Sequence, residues 1–164
     1  MERDRHNEQD ALELFGRIVR RQQQYLHQAA EARAADALRR PDSTFGDCCR
    51  LIERLASPAD LEFFAIHFPA RAHRFRRQRA RIYNQALSEA ERKWTAALAA
   101  AIGGAGTANA TTLHARFRWT MLKLRAAGWL YRAGLPAHVD VAGAIEDVRR
   151  LLTPPAAVVP IRPV

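Results

Sequence analysis

Cysteine is nearly absent from this chain: of 164 residues only Cys48 and Cys49 are cysteines, and they are neighbours. Adjacent residues rarely bridge, so a disulfide scaffold is excluded. No apolar run approaches the roughly 20 residues that a membrane-spanning helix needs, which excludes such a span. The opening segment MERDRHNEQD lacks the apolar stretch of a secretory signal, so a soluble, reduced, cytoplasmic protein is expected. Lysine is scarce as well: Lys93 and Lys123 stand against 24 arginines.

The signatures of catalysis are also missing. None of the six histidines (His6, His27, His67, His73, His114 and His138) sits in an HExxH arrangement, and no cluster of Cys, Asp or Glu completes a metal site. The segment IGGAGTAN has glycine but neither a following Lys-Ser/Thr nor a preceding strand, so it reads as a linker rather than a phosphate loop. Glu146 and Asp147 fall on the solvent side of their helix, where they offer no acid/base pair. No enzymatic activity, cofactor or metal is expected.

The absence that carries most information is of carboxylates. Residues 1–62 hold 10 basic and 12 acidic side chains, and residues 140–164 hold three of each. Residues 63–139 hold 13 basic side chains and only Glu89 and Glu91. The three segments carry net −2, zero and +11 respectively, so the whole +9 of the chain lies in one stretch. A cationic surface of this kind calls for a polyanionic partner or an acidic protein. An acidic N-terminal helix folded over the basic middle would offset it in part.

What is present is helical periodicity almost throughout, with no alternating stretch that would make a strand. A long first helix is expected from about Glu8 to Arg40, ended by Pro41, with Leu12, Phe15, Val19, Gln22, Leu26 and Ala29/Ala30 as its buried stripe. Ser43 to Asp47 reads as a cap into a short helix carrying Cys48, Leu51, Ile52 and Leu55. Ser57-Pro58-Ala59-Asp60 starts another, LEFFAIHF, which ends at Pro69. Residues 70–102 form one helix or two, with a break favoured at the capping-box pattern Ser88-Glu89-Ala90-Glu91. Thr111 or Thr112 caps a helix to about Ala133, stopped by Gly134. A last helix, Val141 to Leu152, starts at Asp140, and the proline-containing tail 154–164 is extended or disordered. The expected architecture is an all-α, compact bundle of about six helices in one domain, residues 1–153.

Two segments stand out within the basic stretch. The run from Arg71 to Arg81 contains Arg71, Arg74, Arg76, Arg77, Arg79 and Arg81. On a helix its core stripe is Ala72, Phe75, Ile82 and Ala86, and Arg79 lands on that stripe, either snorkelling to its edge or meeting an anion. Guanidinium groups bind phosphate bidentately, so the run is a candidate phosphate site. The second segment, 113–132, interleaves Arg116, Arg118, Lys123 and Arg125 with Trp119, Trp129 and Arg132. It is apolar on two sides. That pattern fits a helix central in its bundle, or an exposed aromatic-and-cation strip suited to unpaired bases or a protein hot spot. Gly128 either admits a neighbouring backbone or weakens the helix.

The sequence therefore predicts a non-catalytic subunit that contacts the phosphate backbone of DNA or RNA through residues 63–139, within a nucleoprotein assembly such as a defence, phage or plasmid complex. Readout by shape and charge is expected, since no recognition-helix motif is present. The rival expectation is an adaptor that docks an acidic protein through the same Arg/Trp surface, using Trp119, Trp129 and Arg132. Protein partners or self-association are expected, and a membrane is not.

Overall fold

The computed structural model describes residues 2–57, 66, 69–104, 106–135 and 139–153, with side chains from residue 9 onward. Among them are five α-helices and no strand: α1 (Glu2–Ala37), α2 (Phe45–Ala56), α3 (Pro69–Gly103), α4 (Thr107–Ala133) and α5 (Val141–Leu152). The architecture is all-α as the periodicity required, with five described helices where about six were expected. The helix read from LEFFAIHF lies, Ile66 apart, outside the described residues, as does the tail 154–164.

The ends of the shorter helices follow their local chemistry. Thr44 caps α2: its hydroxyl accepts from the Asp47 amide at 3.1 Å, and the Asp47 carboxylate accepts from the Thr44 amide at 2.7 Å. That reciprocal pair satisfies two amides the first turn would leave open. The Asp140 carboxylate accepts from the Gly143 amide at 2.8 Å and starts α5. Gly134 ends α4 in the left-handed conformation, φ 74°, which glycine adopts without penalty. The start of α4 differs from expectation. It begins at Thr107 after Gly106, and Thr111 and Thr112 donate back to the carbonyls of Thr107 and Ala108 instead of capping.

The expected break near Ser88 does not occur, and α3 runs unbroken from Pro69 to Gly103. Ile82, Tyr83, Ala86, Leu87, Ala90, Trp94 and Leu98 are all buried, so the inward stripe stays in phase across Ser88. Ser88 itself faces solvent, and a helix has no reason to stop at an exposed serine. α3 is the central element and packs against each of the other four helices. Its partner α4 returns alongside it as a helical hairpin. The Tyr83 hydroxyl donates to the Leu124 carbonyl at 3.0 Å, and the Tyr83 and Tyr131 rings meet edge-on at 5.2 Å. Cys48 and Cys49 are both fully buried and unbridged, so they serve the core.

α1 departs furthest from expectation. Its stripe Leu12, Phe15, Val19, Gln22, Leu26 and Ala29/Ala30 does not enter the core: Leu12, Phe15 and Leu26 are all more than 60% exposed. No side chain from residue 9 to 27 is buried. The helix instead docks its C-terminal third through Gln28, Glu31, Ala35 and Leu38. At 100° per residue those four lie nearly opposite the apolar stripe. Lys93 secures the turn that follows, donating to the carbonyls of Arg40 at 2.8 Å and Ser43 at 3.0 Å.

Candidate nucleic-acid interface

The arginine run of α3 divides by helical phase. Arg74, Arg77 and Arg81 fall at i, i+3 and i+7, a single row, and all three are exposed. Asn84 continues the row, and its amide donates to the carbonyls of Ala80 at 2.8 Å and Gly128 at 3.5 Å. Arg71 is exposed at the first turn. Together with Arg74 it lies near Tyr25 of α1, whose phenol is held below its ordinary value by a hydrogen bond with Arg21 and further by these two cations. Arg76 is half-buried on the opposite side of the helix.

Arg79 is corrected by the structure. It is 3% exposed and cannot reach a phosphate. Its guanidinium donates to the carbonyls of Leu55 at 2.9 Å and Arg54 at 2.8 Å in the last turn of α2, the latter also accepting from the Ser57 amide at 3.2 Å. The buried carboxylate of Glu31 lies 3.9 Å from Arg79 and 3.2 Å from the His27 ring. Arg79 therefore ties α1, α2 and α3 together.

On α4, Arg118, Leu122, Arg125, Trp129 and Arg132 recur at alternating spacings of four and three and form one exposed row. The buried face lies opposite, with Phe117, Thr120, Met121, Leu124, Ala127 and Gly128. α4 is thus not enclosed on two sides: Trp119 and Trp129 are 61% and 63% exposed. Arg116 and Lys123 lie roughly 140–160° round the helix from the Arg118–Arg132 row, on its far side. Arg125 is exposed but ion-paired with Glu91, which raises its pKa through that hydrogen bond.

The two rows meet where α3 and α4 approach most closely. Gly128 permits that approach: a Cβ there would sit 2.2 Å from Asn84 Oδ1 and 3.2 Å from the Tyr83 ring. The resulting groove, about 590 Å³, is lined by Arg77, Arg81, Asn84, Trp129 and Arg132. No carboxylate lies within ion-pair distance of Arg77, Arg81 or Arg132 among the described residues. The two acids of the basic stretch are engaged elsewhere, Glu89 with Arg39 and Arg92, and Glu91 with Arg125. Among the described residues the anticipated offset by α1 is confined to Glu31 and Arg79, because Asp36 serves Arg39 and Gln85.

Of the residues read from the sequence, the structure brings Arg77, Arg81, Trp129 and Arg132 into one site, whereas Arg74 and Arg118 continue the two exposed rows outside its lining. Asn84 was not anticipated, although its i+3 spacing from Arg81 places it on the row. No group of three or more His, Cys, Asp or Glu that could hold a metal occurs among the described residues. No helix there is long and apolar enough to cross a membrane. No protein-family model matches the chain, and neither does any curated protein or solved structure.

Proposed function

We propose that the protein binds the phosphate backbone of DNA or RNA in the α3–α4 groove, as a non-catalytic subunit of a larger nucleoprotein assembly. The observation that carries this reading is the convergence of Arg77, Arg81 and Arg132 on Trp129, with no carboxylate among the described residues within ion-pair distance of them. Three unpaired guanidinium groups around one concavity repel one another, and a phosphodiester relieves that repulsion with charge-assisted hydrogen bonds. Trp129 adds a flat face on which an unpaired base stacks without regard to its identity. Arg74 and Arg118 extend the track at either end of the groove.

A titration of labelled single-stranded DNA, RNA and duplex against the protein tests the proposal. Affinity falls with salt, with a log–log slope of roughly −3 for four phosphates on a single strand. Joint replacement of Arg77, Arg81 and Arg132 by Glu weakens binding at least about a hundredfold and leaves the fold intact, because the three side chains are exposed. Absence of binding to all three nucleic acids at low salt overturns the reading. One observation favours a second reading: Trp119 and Leu122 are exposed outside the groove lining, as in a hot spot for an acidic protein. Under that reading Trp119→Ala abolishes partner capture, whereas nucleic-acid binding does not depend on Trp119.

A further inference from the structure

We infer that the exposed apolar face of α1 is covered by α1 of a second copy of this chain, in an antiparallel pair. The inference is independent of what the α3–α4 groove binds. Leu12, Leu14, Phe15, Ile18, Tyr25 and Leu26 are each more than half exposed along one side of the helix. Together they present on the order of 700 Å² to solvent, close to what each partner of a stable protein pair contributes. Patches of that size seldom stay uncovered on monomers. The bundle does not cover this one, since α1 docks through the opposite face, Gln28, Glu31, Ala35 and Leu38.

Charge selects both the occupant and its direction. Residues 2–13 carry five acidic and two basic side chains, net −3, whereas residues 14–30 carry Arg17, Arg20 and Arg21 and no acid, net +3. A parallel pair would set like charge against like, and an antiparallel pair sets each half against its complement. Asp10 and Arg21 lie on the same flank of the apolar stripe, and in antiparallel packing the same flanks of two identical helices meet. Neither residue has an ion-pair partner among the described residues. Arg21 rests over the Tyr25 ring, 5.8 Å from its centroid. Setting Asp10 of each copy against Arg21 of the other places the two-fold axis between Phe15 and Gly16 and sets Leu12 against Val19. The two bundles, each docked on its own α1 through Gln28 and later residues, then lie toward opposite ends of the pair. The acidic first turns would be repelled from an anionic lipid surface, which argues against a membrane as the occupant.

Sedimentation velocity on the full chain at tens of micromolar reads the outcome. The wild-type chain sediments as a dimer, and Phe15→Glu shifts it to monomer, with association at least about a hundredfold weaker. Phe15 is solvent-facing in the monomer, so the variant keeps its circular dichroism and melting temperature. Direction is read with a short bismaleimide, which spares the buried Cys48 and Cys49. Asp10→Cys and Arg21→Cys proteins cross-link when mixed, and neither cross-links with itself. A monomeric wild type overturns the inference, whether or not it binds anionic vesicles. So does a dimer in which the Asp10→Cys and Arg21→Cys proteins fail to cross-link when mixed, since only the antiparallel pair sets those two flanks together.

Discussion

Replacing Arg79 with Met should be among the most destabilising single changes in this protein. The substitution keeps the aliphatic stem and deletes the guanidinium. Two hydrogen bonds to the Leu55 and Arg54 carbonyls disappear, and the carboxylate of Glu31, 1% exposed, loses its most buried cationic neighbour. Breaking one side of a buried ion pair costs about 3–5 kcal/mol, mainly because the other charge stays buried and uncompensated. For a chain of this length that lowers the melting temperature by about 6–20 °C. The companion variant Arg79→Met/Glu31→Leu removes both charges and recovers part of the loss, since an apolar pair of similar volume is often no less stable than a buried ion pair. Urea denaturation followed by circular dichroism measures both. A cost below about 1 kcal/mol for Arg79→Met, or a double variant whose loss is the sum of the two single losses, would refute the reasoning. Well below its melting temperature Arg79→Met should bind nucleic acid within about twofold of the parent, since a buried side chain makes no phosphate contact.

Other consequences are open to equally direct measurement. Trp129→Ala should weaken single-stranded DNA binding by about 5- to 150-fold, the range for losing one stacked base, and leave duplex binding nearly unchanged. Gly128→Ala should destabilise the fold by about 1 kcal/mol, because crowding Asn84 and Tyr83 outweighs the gain in helix propensity; chemical denaturation checks the sign. Burial pushes the Cys49 thiol from 9.0 up to about 11 and raises Cys48 as well. The folded state therefore holds protons that the unfolded chain releases. Stability is fully present below pH 9 and declines as pH rises from 9 toward 11, by up to about 1.4 kcal/mol per pH unit for each thiol. Urea midpoints at pH 8 and 10.5 test this, and Cys49→Ala should flatten the decline. Asp140→Ala removes the cap of α5 and should cost about 1 kcal/mol in the same denaturation assay.

The parts of the fold legible in the sequence were those fixed by neighbours along the chain. α5 and its Asp140 cap, the Thr44–Asp47 box and the Gly134 stop each rest on contacts within a few residues. Ser88-Glu89-Ala90-Glu91 has the letters of a capping box, yet both glutamates are spent on arginines, Arg39 and Arg92 for Glu89 and Arg125 for Glu91. The stripe on α1 was visible, but periodicity says only that a face is apolar and not which neighbour covers it. Arg79 was legible as an anomaly on an apolar stripe. Its acceptors, two carbonyls 24 and 25 residues away, belong to packing that no local pattern encodes. Within the groove, Gly128 was the sequence signal for close helix approach, and Asn84 became visible only with its neighbour across the interface.

The link between α3 and α4 is three residues long, 104–106, and every described residue that lines the groove lies on the two helices it joins. Closing so short a loop carries a small entropic cost, and contacts between elements adjacent in sequence form early. The groove is therefore specified by one helical hairpin rather than by the meeting of distant segments. Changes in α1 or in the carboxy-terminal part of the chain should alter how stable the protein is, or what it assembles with, before they alter the shape of the groove.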